Sequence, residues 1–320
     1  MADRIELTLA HSPDSDDLVM WWPLTGMHGP DGTSVAGDDG VPAVASVRFA
    51  FRTLPEDVQV LNRRAIERSD LDITAISAHA YPHLCNRYRI TACGASMGEG
   101  YGPKLVCKAD SPLASLAEAM AADPVVAVPG VHTTAALTLS ILADDLTPGH
   151  RPRMQEMLFS EIPGAVAQGE FAVGLLIHEA QLTFEQMGLR VLVDLGAAWG
   201  ERTGGPLPLG LNVVRRDLDE RFGTGSLAEV ARLLDASVAH AAANREASKR
   251  FLRLHAEGRE EWLDDALVDR YLDMYVSAMS VDMGSAGREA LAKLFGEATR
   301  LGLAPDAGEL DVIGGALGES

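Results

Sequence analysis

His178 and Glu179 follow directly on the apolar run AVGLLI of residues 172–177, so a titratable pair abruptly ends a hydrophobic segment. An imidazole exchanges a proton near neutral pH and can act as a general acid or base. A run of this composition reads as a buried strand, and the ligand crevice of an open α/β sheet lies outside the carboxyl ends of its strands. His178 therefore stands where a base would meet a substrate. The plainer reading is a packed or surface histidine among the nine of the chain, and other segments decide between them.

Residues 125–136, VVAVPGVHTTAA, read as a strand, a Pro-Gly turn and a helix start. Thr133 and Thr134 would place hydroxyls and free backbone N–H groups at a helix N-terminus, a setting suited to a carboxylate or phosphate. One threonine capping the helix is the structural alternative, and His132 beside them either orders the turn or is a second acid or base. Asp14, Asp16 and Asp17 crowd the end of the first apolar run. Carboxylates favour magnesium, but no other ligand spacing accompanies them, and aspartates in a first helical turn are explained by capping and the helix dipole. Asn62 and Ser77 are small hydrogen-bonding residues on a helix and at a strand end.

The chain shows no zinc spacing, no G-x-S-x-G elbow and no Walker loop. The glycines at 94, 98, 100 and 102 lack dinucleotide-binding spacing and lead into a strand. Trp21, Trp22, Trp199 and Trp262 read as packing residues. Chemistry without cofactor or metal is the expectation.

These residues need a scaffold. Residues 5–10 alternate as a strand, a helix follows from about 16 to 22, and 47–54, 58–68 and 71–76 read as strand, helix and strand. That rhythm implies a parallel sheet. Residues 26–45, rich in glycine and aspartate, read as a surface loop. Strand 104–108 is the expected passage to a second α/β unit with helix 113–122, strand 125–128, helices 133–143 and 162–168, and strand 171–177. Strand 209–215 then carries the chain back, and helical periodicity runs from 227 to 301. The plan is two α/β lobes with a central cleft, 1–108 with 209–320 forming the first and 109–208 the second.

The chain has 320 residues, 47% hydrophobic and 23% charged, enough to bury a sizeable core. Its 27 Lys and Arg against 46 Asp and Glu give a net charge of −19, which disfavours a nucleic-acid partner. Cys85, Cys93 and Cys107 form no paired motif, and the start lacks a signal-peptide core. No uninterrupted apolar stretch resembles a membrane span. A cytoplasmic protein with a small-molecule ligand and no membrane partner is expected; the oligomeric state is not legible.

The chain resembles the 1,4-dihydroxy-6-naphthoate synthases of the futalosine route to menaquinone. The similarity rests on VLNRRAIE from Val60, ISAHAY from Ile76, GEGYGPKLV from Gly98, VPGVHTTA from Val128, VAQGEFAVGLLIHE from Val166 and VDLGAAWGERTGGPLPLG from Val193. They occur in order across nearly the whole chain. The resemblance implies a bilobal fold of the type II periplasmic-binding-protein kind. It also implies a lyase that splits cyclic dehypoxanthinyl futalosine without redox cofactor or metal. By the same resemblance His178 is the general base, and Asn62, Ser77, Thr134 and Ala135 contact the substrate, with the helix end at Thr134 anchoring its carboxylate. Where the family reads S-P-C-P-N-D-T after its first strand, this chain reads SPDSDDL, keeping Ser12, Pro13 and Asp17. The loop 26–45 looks like an insertion beside that segment. Two other classes share the plan: a non-enzymatic bilobal binding protein, and a chorismate dehydratase, which would need another base.

Overall fold

The computed structural model of the protein describes residues 4–35, 38–178, 180–256 and 259–315. Strand β1 (Ile5–His11) leads into helix α1 (Ser15–Thr25), and β2 (Phe49–Pro55), α2 (Val58–Glu67) and β3 (Ile73–Ser77) complete the expected alternation. Two short strands follow, β4 (Tyr88–Thr91) and β5 (Ser96–Gly98). Next come β6 (Lys104–Lys108), α3 (Leu116–Ala122), β7 (Val125–Val128), α4 (Thr134–Leu146) and β8 (Arg153–Glu156). The unit ends with α5 (Ile162–Gln168), β9 (Val173–Leu176), α6 (Ala180–Thr183), β10 (Leu189–Asp194) and α7 (Leu195–Thr203). After β11 (Leu207–Arg215) the chain is helical through α8 (Leu218–Phe222), α9 (Ser226–Ala243), α10 (Arg245–Leu254), α11 (Asp265–Tyr275), α12 (Ala278–Val281) and α13 (Gly284–Arg300). Strand β12 (Val312–Ile313) closes it.

The strands make two sheets. The first runs β12-β4-β11-β3-β1-β2 with β5 paired to β11, and the second runs β10-β6-β9-β7-β8. Both contain a parallel trio, β3-β1-β2 and β9-β7-β8, flanked by an antiparallel strand, β11 or β6. Strand 104–108, expected as a passage at the end of the first lobe, is a full member of the second sheet, because β9 and β10 pair with it on either side. The passages are therefore the connections 99–103 and 204–206, where Gly100 and Gly204 take φ of 80° and 72°. Loop 26–45 holds only the isolated bridge His28–Ser34 among its described residues.

Each sheet has its own core. Leu7, Leu9 and Ile73 pack with Trp21 of α1 in the first, and Leu105, Val126 and Leu175 pack with Leu139 of α4 in the second. Trp21 and Trp199 are fully buried, as packing residues should be. Helix α4 is buried from Thr134 to Ala143 because it serves both cores. Leu137 and Ile141, one turn apart, face the first lobe, while Ala135 and Leu139 face the second. No described helix is long and apolar enough to cross a membrane.

Candidate active site

The carboxyl ends of the parallel strands converge on one cleft of about 700 Å³, open mouth included. Ser12 and Asp14 come from the end of β1, Ser77 from β3, Thr133 to Ala135 from the turn after β7, and Ile177 and His178 from β9. This is the position expected for a ligand in α/β sheets.

Strand β9 delivers His178 because all four of its residues are buried. Burying Val173, Leu175 and Leu176 stabilises the strand by about 1.5–3 kcal/mol each. Gly174 lets α5 press close, since a Cβ there would lie 2.7 Å from Ile162 and Val166. The chain then turns sharply. His178 adopts φ 54°, a left-handed conformation that is costly for a side chain with a Cβ and that gathers at functional positions. Its carbonyl accepts the N–H of Gln181 at 3.1 Å, and its ring meets the edge of Phe159 with centroids 4.8 Å apart. Glu179, paired with His178 in the sequence reading, lies outside the described residues.

The partner of His178 comes from the other sheet. Its Nδ1 lies 2.9 Å from Oδ2 of Asp14. Asp14 occupies the N-cap position of α1, yet its side chain makes no capping bond there and instead also accepts the Ser12 hydroxyl. Capping, the sequence expectation for this aspartate, gives way because the carboxylate is 1% exposed and turned into the cleft. Burial pushes the Asp14 carboxyl up, but the His178 charge and hydrogen bond, the Ser12 hydroxyl and the Arg259 charge outweigh it and hold it below its ordinary value. An ionised Asp14 takes the proton-bearing Nδ1 as donor. Nε2 is then the basic nitrogen.

The remaining expected residues divide. Ser77 and Ala135 line the cleft, and so does Thr134. Thr133 is the cap of α4, accepting from the N–H of Ala136 at 3.3 Å, while Leu137 N–H bonds the Thr133 carbonyl. That leaves the N–H groups of Thr134 and Ala135, at a positive helix end, for an anion. The Thr134 hydroxyl is engaged, donating to the Leu209 carbonyl of the first sheet at 2.8 Å. Asn62 is wholly buried behind the wall and is not a lining residue. Its Oδ1 accepts from the Ser77 N–H at 2.8 Å and its Nδ2 donates to the Ser77 Oγ at 3.1 Å, so it orients Ser77. His132 stands outside the cleft lining, its ring 5.3 Å from that of His83.

Sequence reasoning missed three groups. Asn212 on β11 is 1% exposed and lines the cleft. Its Nδ2 donates to the Gly94 carbonyl at 2.9 Å, which fixes the amide with Oδ1 unpaired among the described residues. Gly94 must be glycine for this, because a Cβ would lie 2.5 Å from Nδ2. Gln181 donates to the Tyr275 hydroxyl at 2.8 Å, another bond from the second lobe to the first, and its Oε1 is unpaired among the described residues. Ser96 Oγ is the third such atom. A lone asparagine in the apolar stretch LGLNVV was the available signal. Val58, Ile76, Ile177, Leu209 and Leu211 add an apolar part to the lining.

Known proteins resemble this chain in sequence and in fold. The family described as menaquinone biosynthesis matches residues 7–300. A protein of Thermus thermophilus named 1,4-dihydroxy-6-naphthoate synthase is 41% identical over 249 residues, 78% of this chain and 84% of that one. A protein of the same name from Streptomyces coelicolor is 32% identical over 302 residues, 94% of this chain and 96% of that one. A Candida albicans protein of the generic periplasmic-binding-protein fold superimposes with a TM-score of 0.58 at 9% identity, covering 98% of this chain and 99% of its own. That likeness speaks for the fold alone, which is bilobal, α/β and periplasmic-binding-protein-like. Matched over most of its length by one family and by two relatives of the same name, the chain belongs to the menaquinone biosynthesis family.

Proposed function

We propose that the protein is a carbon–carbon lyase that cleaves cyclic dehypoxanthinyl futalosine to 1,4-dihydroxy-6-naphthoate, with His178 as general base. The observation that carries the reading is the bond between His178 and Asp14, which leaves Nε2 basic in a cleft that a mere binding protein would not need to equip with a base. The substrate carboxylate sits on the N–H groups of Thr134 and Ala135, Ser77 contacts the ligand with Asn62 behind it, and the apolar walls hold the ring. His178 then removes a proton on the sugar side and the fragment departs. The two relatives named as 1,4-dihydroxy-6-naphthoate synthases support the product. We assign the reaction no cofactor and a cytoplasmic setting.

Naphthoate formation from the cyclic substrate tests this. His178→Ala and His178→Asn should each lose about 10² to 10⁴ in turnover, the typical worth of a positioned base, with substrate binding largely kept. A near wild-type rate in either variant refutes the assignment of the base, and an inactive wild-type protein refutes the substrate.

A further inference from the structure

The cleft holds more carboxylates than one base requires. Asp17, in the first turn of α1, lines the same cavity as His178 and is 8% exposed. Its Oδ2 accepts from the Ser12 N–H at 2.8 Å, while the hydroxyl of the same serine serves Asp14. Ser12 thus sits between two carboxyl groups of unlike surroundings. Asp14 has the imidazole of His178; Asp17 has one backbone donor and two carboxylates, Asp14 and Asp16, beside it in sequence. A buried carboxyl so placed is costly to ionise, since burial and like charge act in the same direction. Independently, Asn212 lines the same cleft with its Oδ1 buried and unpaired among the described residues, and a buried acceptor without a donor calls for a ligand here.

We infer that Asp17 is a second catalytic residue, the acid of the cleft, which gives its proton to an oxygen of the substrate as His178 takes one away. The inference rests on the lyase reading. In that reaction His178 Nε2 takes the proton of a sugar hydroxyl, and the freed O–H pair forms the carbonyl of the departing fragment. The pair of the breaking carbon–carbon bond flows into a ring carbonyl. Its oxygen takes the proton of Asp17 and ends as a hydroxyl of the dihydroxynaphthoate. After release, the proton on His178 returns through solvent to the Asp17 carboxylate, and the protein is restored. Burial first, then the charges of Asp16 and Asp14, pushes the Asp17 carboxyl well up, while Asp14 is held low. Two carboxyl groups driven apart in one site are the pattern of a divided acid and base assignment. The charged and titratable groups around this segment are Asp14, Asp16, His178, His11, Asp57, Tyr101, Arg259, whose guanidinium donates to the Pro13 carbonyl, and Tyr271, whose hydroxyl bonds Asp16.

Asp17→Asn tests the inference, because an amide keeps the acceptor for Ser12 N–H and can donate a hydrogen bond but not a proton. Infrared difference spectra of wild type minus Asp17→Asn at pH 7 should contain the carbonyl stretch of a protonated carboxyl group. With cyclic dehypoxanthinyl futalosine, Asp17→Asn should lose about 10² to 10⁴ in kcat and lose the alkaline limb of the kcat/KM profile, and Asp17→Glu should recover part of both. Absence of the protonated-carboxyl band overturns the inference. So does an Asp17→Asn rate near that of wild type. If wild type releases no naphthoate the lyase reading falls, and the neutral acid is then judged by the infrared band alone.

Discussion

Asp14 Oδ2 and His178 Nδ1 meet at 2.9 Å although they stand on the strand ends of different sheets. The bond exists only while the lobes face each other at this distance. Thr134 with Leu209, Gln181 with Tyr275, and Gln59 with Glu156 at 2.8 Å cross the same seam. Parting the lobes would leave the His178 imidazole with no carboxylate to set its tautomer.

Asp14→Asn should uncouple position from tautomer. The amide fills the same space, but it offers an N–H as readily as an acceptor, and the imidazole loses its reason to keep the proton on Nδ1. Turnover should fall on the order of 10² to 10⁴, as when a carboxylate orienting a catalytic histidine is neutralised. Nitrogen NMR of the imidazole supplies the readout that a structural role would not move. Wild type should show the Nδ1–H tautomer and Asp14→Asn a shift toward Nε2–H. An unchanged tautomer with lowered turnover would assign Asp14 to packing.

How much of this was legible before the fold is seen most clearly at these two residues. His178 stood out because a buried strand ends on it, and strand ends are local facts of sequence. Its partnership with Asp14 was illegible, since it depends on two sheets meeting across a cleft and no periodicity encodes that. Asn62 and Ser77 were both expected at the ligand; packing alone decided that one faces the cleft and the other braces it. The parallel trios followed from apolar runs alternating with helices, whereas the short polar edge strand β8, RMQE, carries no hydrophobic signal. The passage between lobes was placed a strand too late because the run KLVCK looks the same whichever sheet receives it.

Asn212→Leu should separate a ligand contact from a structural one. Leucine keeps the volume and removes both the acceptor and the bond to Gly94. The Gly94 carbonyl is then left without that donor, so unfolding in urea should show a loss of about 1–3 kcal/mol. Affinity for the cyclic substrate, measured by calorimetry on the folded variant, should fall by about tenfold or more, because a site built around a buried acceptor discriminates strongly for the hydroxyl that satisfies it. Lost stability with unchanged affinity would make Asn212 a brace for the Gly94 turn and nothing more.

Thr134→Ala addresses the anion site. Since the hydroxyl donates to Leu209 and the N–H groups remain, the substitution should loosen the seam and leave the carboxylate anchor in place. Binding of 1,4-dihydroxy-6-naphthoate should weaken by about three- to tenfold, the worth of one ordinary hydrogen bond of 0.5–1.5 kcal/mol. The carboxamide analogue should weaken by the same factor. A loss confined to the carboxylate would mean that the hydroxyl itself leaves Leu209 to grip the anion.

The seam also carries a pH dependence of stability. His79 is buried where helix α4 meets the first lobe, its ring nitrogens 3.3 Å from the Thr133 and Leu303 carbonyls. The rings of His83 and His132 lie 6.1 and 6.2 Å away. Burial lowers its pKa from 6.5 to about 4, against the Leu303 carbonyl, which favours the charged form, and with the neighbouring histidines adding to the fall. The unfolded chain then binds a proton between pH 6.5 and about 4 that the folded protein does not. Stability from this group is complete above pH 6.5 and is lost as pH falls toward about 4, by up to about 3 kcal/mol at 1.36 kcal/mol per unit. Urea midpoints taken from pH 7 down to pH 4 should decline accordingly, and His79→Gln should flatten the decline while lowering the midpoint at neutral pH. An equally steep decline in His79→Gln would transfer the dependence to His83, His132 and His11, whose burial also holds them low.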